Sequence, residues 1–271
     1  MTVNHDGKSK KEIYLGGGEA INDAANRFLA AAVSLNTRLG YESDLRHFLL
    51  HGLSVPASVQ QVVEYLIKFA DKLAVGTLER RLVSLHKAHM EIESPSPVRT
   101  SVVKGTMAGI RRIHGKQSRQ ARPFLREEVI EAVSNMTAMT PLRAARNTAL
   151  LLIAFAGAFR RSEIVGITVE HIKSVQSGLE IVLLFSKTDQ ERRGRTVFIP
   201  YANGPQCPVK TLRHWLNIAN IDGGFIFRAV NKHDQVSESG LTPQSVSLIV
   251  KSAVARLGGD PSKSSGHSLR A

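Results

Sequence analysis

The spacing of apolar residues changes partway along this chain, and that change constrains the fold more than any other feature. As far as Phe155, apolar side chains recur at helical spacing. Short runs typical of β-strands then occur at Ile172 to Val175, Leu179 to Ser186 and Arg195 to Ile199. The pattern therefore predicts a mainly α-helical protein with a small antiparallel β-sheet.

Helical patterns fill the first part of the chain, and capping or breaking residues separate them. On the second of these helices we expect the apolar residues Leu39, Leu45, Phe48 and Leu49 to face inward. Ser58 has the position of an N-cap, and Ser94-Pro95 interrupts the pattern further on. The predicted helices begin at Ile21 and Gly76 and after Ser58, and two more span Thr37 to Leu50 and about Thr100 to His114.

Changes in composition predict the domain boundaries. Residues 1–18 are polar and glycine-rich and are predicted to be a disordered tail. Residues 19–114 form an all-helical domain, residues 115–123 a basic linker, and residues 124–271 an α+β domain. Within this second domain, the very apolar helix from Arg143 to Phe155 is predicted to lie in the core.

The charge of the chain points to a polyanionic partner. Its formal net charge is +13, and no acidic residue occurs between Ser94 and Arg126. Aromatic residues make up only 6%, so helices lying on duplex phosphates fit better than a base-stacking platform for single strands. The basic linker is equally compatible with crossing a DNA backbone and with plain solvation. The candidate DNA-binding residues are Arg38, Arg46, Arg80, Lys87, Arg111, Arg112, Lys116, Arg119 and Arg122.

Several classes of protein are disfavoured by composition. A single cysteine, Cys207, excludes an internal disulfide and a cysteine-rich metal site. The longest apolar run, Ala149 to Phe159, is about half the length that crosses a bilayer, and the N-terminus lacks an apolar signal core. We therefore expect a cytoplasmic protein without a membrane partner.

Three short motifs carry groups that could hold a phosphodiester. Arg160 follows a glycine turn and precedes Glu163, Lys187 lies at a predicted strand end, and His267 stands three residues before Arg270. Residues at i and i+3 on a helix share a face, so His267 and Arg270 could address one phosphate. Taken singly, each motif also has an ordinary structural explanation: an arginine–glutamate pair, a charged hairpin turn and a chance match.

In this order and spacing, the motifs resemble those of the tyrosine recombinases, the phage-type integrases and Cre-like enzymes. Ala156 to Ile164 looks like the first arginine box of that family, and Ser265 to Arg270 looks like the start of the second. The resemblance implies a core-binding helical domain, a catalytic α+β domain and duplex DNA as the partner. It also implies a dimer or tetramer on DNA in the full-length parent, and chemistry that needs no metal or other cofactor.

The same resemblance implies a role for each motif residue. Arg160 and Arg270 would stabilise negative charge on the scissile phosphate, and Glu163 would organise the arginines. Lys187 would protonate the departing 5′-oxygen, and His267 would assist proton transfer at the nucleophile.

The family nucleophile is a tyrosine that follows the second arginine and forms a 3′-phosphotyrosine link. The tyrosines of this sequence all precede the second box: Tyr14, Tyr41, Tyr65 and Tyr201. We therefore expect a recombinase cut short inside its catalytic domain, which binds DNA but does not cleave it. The alternatives are a non-catalytic DNA-binding protein that occupies recombination sites and an unrelated basic RNA-binding protein.

Overall fold

The chain divides into two compact units, residues 1–118 and 119–271. The computed structural model describes residues 27–28, 32–115, 121–184, 194–266 and 268–270, apart from the side chains of residues 137–138. The division lies inside the predicted linker, most of which is outside the described residues, as is the whole predicted N-terminal tail. None of the helices in the described ranges has the length and apolar content needed to span a bilayer.

The first unit is built from helices whose starts are set by local capping. Ser34 Oγ accepts a hydrogen bond from Thr37 N, and Thr100 Oγ1 accepts one from Val103 N. The predicted cap at Ser58 is confirmed, because its hydroxyl and the Gln61 side chain form a reciprocal capping box. The helices are α1 (Leu35–Leu50), α2 (Val59–Phe69), α3 (Val75–Glu91) and α4 (Ser101–His114).

One helix of the first unit buries only part of its predicted face, where Leu45 packs against the core. Phe48 is buried as expected, but Leu39 and Leu49 are 51% and 53% exposed. Asp44 is buried instead, because α3 supplies partners for its carboxylate. The apolar residues of α1 are spread around the helix, so their spacing alone does not select the buried side. The core of this unit includes Phe48, Val62, Tyr65, Leu66, Leu78, Leu85, Val103 and Met107.

The second unit has the predicted α+β composition. Its helices are α5 (Arg126–Ser134), α6 (Pro141–Ala156), α7 (Arg161–Val165), α8 (Pro208–Ile218) and α9 (Pro243–Arg256). Three strands form an antiparallel sheet in the order β1 (Ile172–Val175), β2 (Gly178–Leu183) and β3 (Arg195–Pro200). Leu183 pairs with Arg195 at one end of β2 and β3, and Gly178 pairs with Pro200 at the other.

A second small sheet escaped the sequence analysis. Strands β4 (Arg228–Val230) and β5 (Val236–Gly240) pair antiparallel. The turn between them carries Asp234, whose carboxylate accepts hydrogen bonds from Leu142 N and Arg143 N at 3.0 and 3.3 Å. An aspartate from a distant turn therefore caps the first turn of α6, where backbone N–H groups have no helical partner.

The predicted core position of α6 is confirmed. Residues 149–154 are all buried, and Phe159 beyond the helix is 1% exposed. The single tryptophan of the chain, Trp215 on α8, is fully buried and donates from Nε1 to the Ile226 carbonyl at 2.7 Å. The rigid end of α6 is the platform from which the Arg160 motif departs.

Candidate functional site

Arg160 is presented by a tight turn at the end of α6. Ala158 adopts φ of +46°, and Phe159 fills a core position behind the turn. A Cβ on Gly157 would come within 2.2 Å of the Phe159 ring, so glycine is required there for the turn to close over the ring. Arg160 then becomes the N-cap residue of α7 with an extended backbone. The buried ring and the turn together direct this one arginine out of the core.

The Glu163 carboxylate is the centre of the site. Its side chain is 2% exposed, and it accepts from the Arg160 backbone N–H at 2.8 Å and from Arg160 Nη1 at 2.6 Å. Arg195 Nη2 donates to the second carboxylate oxygen, Oε2, at 3.2 Å. Charged hydrogen bonds of this kind are about twice as strong as neutral ones. The contacts support the organising role that the resemblance gave to Glu163.

Opposing effects set the ionisation of Glu163. Burial acts to raise its pKa, but the hydrogen bonds from Arg160 and the charges of Arg195 and Arg160 outweigh burial. The net result is a pKa below the ordinary value, so the carboxylate is ionised at neutral pH. An ionised carboxylate can hold two guanidinium groups at once.

Arg195 is the residue of this site that sequence reasoning missed. It is the first residue of β3, its side chain is 44% exposed, and β2 aligns it opposite Leu183. In the sequence, Arg195 closes the charged stretch that follows Lys187, and no role was predicted for it. The charge of Arg195 is visible in the sequence. Its hydrogen bond to Glu163, however, joins residues 32 positions apart and is set by tertiary packing.

The segment that leads to Arg270 packs against α7. A Cβ on Gly266 would lie 3.2 Å from Arg161 Cβ and 3.3 Å from Ser247 Oγ, so this backbone runs close to the residue that follows Arg160. Ser268 and Leu269 are each 1% exposed, and Leu269 belongs to the core. Arg270 itself is exposed. The second box is thus anchored beside the first one.

The start of the second unit also holds this segment. Arg122 N donates to the Lys263 carbonyl at 3.0 Å, and Phe124 N donates to the Ser268 carbonyl at 2.7 Å. Residues 266 and 268–269 form turns. Because His267 lies outside the described residues, a shared face for His267 and Arg270 stays a prediction. Ser268 N donates to the Ser265 carbonyl at 2.9 Å, a bond of a turn.

Two of the predicted catalytic residues, Lys187 and His267, lie outside the described residues. Of the remaining three, the structure brings Arg160 and Glu163 into direct contact, and it fixes the backbone before Arg270 near α7.

The predicted DNA-binding residues of the first unit differ in how firmly they are held. Arg38, Arg46 and Arg112 are exposed. Arg80 is half exposed and binds Asp44 Oδ1 at 2.9 Å, and Lys87 Nζ lies 4.7 Å from the centre of the Tyr41 ring. Arg111 pairs with Glu79, and Arg122 at the start of the second unit pairs with Glu128 at 2.7 Å. Lys116 and Arg119 lie outside the described residues.

A polar network in the first unit was not foreseen. Asp44 accepts from Ser84 Oγ at 2.8 Å and also faces Arg81 Nε at 3.5 Å. Arg81 Nη1 donates to the Tyr65 hydroxyl at 2.7 Å and lies 3.0 Å from His47 Nδ1. Burial lowers the pKa of His47, and the charge of Arg81 lowers it further, so this ring accepts the bond as neutral imidazole. The network locks α1, α2 and α3 together.

Comparisons with known proteins agree with the architecture. The phage integrase family matches residues 123–271. The integrase/recombinase xerD homolog of Selenomonas ruminantium is 32% identical over 269 residues, which cover 96% of this chain and 79% of that protein.

Solved structures share the fold. A lambda integrase dimer bound to a COC′ core site has a TM-score of 0.62 at 17% identity and covers 92% of this chain and 66% of its own. The XerH site-specific recombinase bound to difH substrate has a TM-score of 0.52 at 14% identity and covers 79% of this chain and 57% of its own. This chain therefore spans about two thirds or less of the length of those two proteins.

A helical unit followed by an α+β unit, with a fixed arginine beyond a core helix, defines the integrase class of fold. The chain belongs to the phage integrase family of tyrosine recombinases. The resemblance inferred from the two arginine boxes and the predicted fold class are both confirmed.

Proposed function

We propose that this chain is a site-specific DNA recombinase of the tyrosine class that acts on duplex DNA in the cytoplasm. The observation that carries the proposal is the arrangement of the two arginine boxes. The Arg160 guanidinium is held at 2.6 Å by buried Glu163, while Gly266 packs on Arg161. This packing supports a site in which Arg160 and Arg270 approach one phosphodiester.

The chemistry follows from where charge develops. Attack on a phosphodiester adds negative charge to the non-bridging oxygens, and one preorganised donor there typically contributes about 100- to 1,000-fold in rate. Arg160 and Arg270 would supply such donors, and Glu163 would keep Arg160 oriented. In the same proposal Lys187 protonates the leaving 5′-oxygen, and His267 assists the proton transfer at the nucleophile.

The tyrosines in the described residues have other surroundings. The Tyr41 ring lies beneath Lys87, and Tyr65 bonds Arg81 in the first unit. Tyr201 follows β3 at the end remote from Arg195, about 20 Å away at the usual rise of a strand. Within the second unit, Tyr201 is therefore not placed to attack a phosphate held by Arg160.

A polypeptide of these 271 residues is therefore expected to bind DNA without forming a covalent adduct. A nicked suicide substrate, which traps the phosphotyrosine intermediate, would be incubated with the protein and run on a denaturing gel. A shifted band that survives denaturation and disappears on protease treatment would contradict the expectation. The same substrate with added full-length relative would test whether a partner supplies the tyrosine.

Binding to duplex DNA is expected to weaken steeply with salt. Each neutralised phosphate should contribute about 0.9 to the slope of log K against log salt concentration. Replacing exposed Arg46 with glutamine should reduce that slope by about this amount if the residue contacts a phosphate. Fluorescence anisotropy of a labelled duplex across a salt series measures the slope.

The matched control is Lys72→Gln, because Lys72 is an exposed cation beyond α2 that we assign to no DNA contact. It should leave the slope of the parent chain unchanged. A salt-independent affinity of the parent chain would rule out binding through phosphates, and equal affinity for structured RNA would favour the RNA-binding alternative.

Self-association on DNA is part of the same proposal. Lambda integrase has been solved as a dimer on a core site and as a tetramer on a Holliday junction. We propose that this chain likewise assembles on its target. The mass of the protein, measured free and bound to a duplex, would give the number of chains in the assembly.

A further inference from the structure

The backbone just before Arg270 is held by hydrogen bonds that converge on Ser268. Ser268 N donates to the Ser265 carbonyl at 2.9 Å, and Ser265 N donates in return to Ser268 Oγ at 3.1 Å. The Ser268 carbonyl accepts a third bond, from Phe124 N at 2.7 Å. The amide, the hydroxyl and the carbonyl of Ser268 are therefore all engaged within the second unit.

We propose that Ser268 is a positioning residue that fixes Arg270 for contact with a DNA phosphate. The inference rests on the proposed function, in which Arg270 approaches the phosphodiester. Glu163 orients Arg160 through a bond between two side chains. Ser268 acts in a different way, because its bonds hold the backbone from which the Arg270 side chain departs.

Burial keeps this turn in one arrangement. Ser268 and Leu269 are each 1% exposed, and Leu269 belongs to the hydrophobic core of the second unit. Phe124, which donates to the Ser268 carbonyl, is buried in the same core. A buried polar group that loses its partner cannot replace it with water, so these bonds resist opening.

Arg270 emerges directly from this buried segment. It is exposed, and it follows Leu269 by one residue and Ser268 by two. The turn also determines where Arg270 begins relative to the first arginine box, because the backbone of Gly266 runs close to Arg161. A backbone that is already fixed reduces the conformational entropy lost when the side chain binds an anion. A looser turn would spread Arg270 over positions away from the phosphate.

A serine in a buried turn can also serve stability alone, and the two roles have different consequences for DNA binding. A purely structural serine affects the affinity whether or not Arg270 is present. A positioning serine affects the affinity only through Arg270, so the effects of replacing the two residues should not add.

A double-mutant cycle on DNA binding separates the two roles. In the full chain, Arg270→Gln should reduce the slope of log K against log salt concentration by about 0.9 for a synthetic duplex of one fixed sequence. Ser268→Ala leaves the net charge unchanged, yet it should remove part of the same slope. It should also weaken the affinity about three- to tenfold, the effect of about one hydrogen bond. In the Arg270→Gln background, Ser268→Ala should have no further effect.

The matched control is Ser134→Ala, the same substitution in the same unit. The Ser134 hydroxyl donates to the Ile130 carbonyl at 2.9 Å in α5, and the residue is exposed and assigned to no DNA contact. The control should keep the affinity and the slope of the parent chain. An equal loss of affinity from Ser268→Ala with and without Arg270 would show a purely structural role and overturn the assignment. An unchanged slope in Ser268→Ala would overturn it as well.

Amide hydrogen exchange on the unaltered chain covers the case in which Ser268→Ala fails to fold. The N–H groups of Ser265 and Phe124 should exchange slowly, at rates near that of the buried core residue Ile153. Rapid exchange at Ser265 would show that the turn is not held in solution, and it would overturn the inference while leaving DNA binding intact. No DNA binding by the parent chain, or an unchanged slope in Arg270→Gln, would overturn the proposed function as well.

Discussion

Replacing Glu163 with glutamine is expected to destabilise the second unit by about 2–3 kcal/mol. Removing one member of a buried ion pair typically costs about 3–5 kcal/mol, and the value is reduced here because Arg195 is 44% exposed. Glutamine preserves the size of the side chain. Its amide NH2 group would nevertheless face a guanidinium donor, because both carboxylate oxygens of Glu163 accept hydrogen bonds from arginine.

The buried tryptophan provides a fluorescence signal that is specific to the second unit. Trp215 is the only tryptophan of the chain, so its fluorescence during urea unfolding reports on the second unit. Glu127→Gln is the control, because the Glu127 side chain is 76% exposed and its Oε1 lies 3.9 Å from Arg126 Nη1. That change should alter stability by about 0–1 kcal/mol. Equal unfolding midpoints for the two variants would refute the structural importance of Glu163.

Acid should reduce the difference in the free energy of unfolding between the parent chain and Glu163→Gln. The pKa of Glu163 in the folded chain lies below its ordinary value of 4.5. Its stabilisation is therefore fully present above about pH 4.5 and is lost as the pH falls through the folded-state pKa. Urea unfolding of both proteins across this range would reveal the convergence.

Replacing Asp44 with asparagine is expected to destabilise the first unit by about 3 kcal/mol. Asp44 is 2% exposed and contacts Arg80, Arg81 and Ser84, all on α3. Asparagine keeps the shape but leaves Arg81, which is 13% exposed, without a nearby negative charge. Arg80 is half exposed and can turn into water, so most of the loss comes from Arg81.

The two optical signals should respond differently to Asp44→Asn. Far-UV circular dichroism reports on helices of both units, whereas Trp215 reports on the second. We expect an earlier loss of ellipticity with little change in the tryptophan transition. Glu79→Gln is the control from the same helix, because Glu79 is 42% exposed in its pair with Arg111 and should contribute about 0–1 kcal/mol. If the ellipticity of Asp44→Asn were lost at the same urea concentration as that of the control, the prediction would be contradicted.

The helices and the three-stranded sheet were predictable because their signals are local. Helix starts are marked within a few residues of sequence by Ser58 with Gln61 and by Thr100. The helix α9 begins at Pro243 and is followed by Gly258. The pair β4 and β5 was missed because its strands are only three and five residues long. Such short segments contain too few residues to show a period.

The candidate site was predictable only in part. Arg160 and Glu163 are three residues apart, so their pairing could be expected from the sequence. Arg195 could not be placed with them, because its contact with Glu163 depends on how β3 packs beside α7. For the same reason, Gly266 beside Arg161 could not be foreseen from residues separated by more than a hundred positions.

The sequence by itself determined the mainly helical content, the three-stranded sheet, the position of the arginine boxes and the family to which the chain belongs. Those properties depend on which residue types stand a few positions apart in the sequence, and that order is the same before and after folding. Only the tertiary structure decided that Asp44 rather than Leu39 is buried, and that Glu163 serves two arginines. A charged group can be buried only where distant segments bring it opposite charges and donors, and the chain must fold before those segments meet.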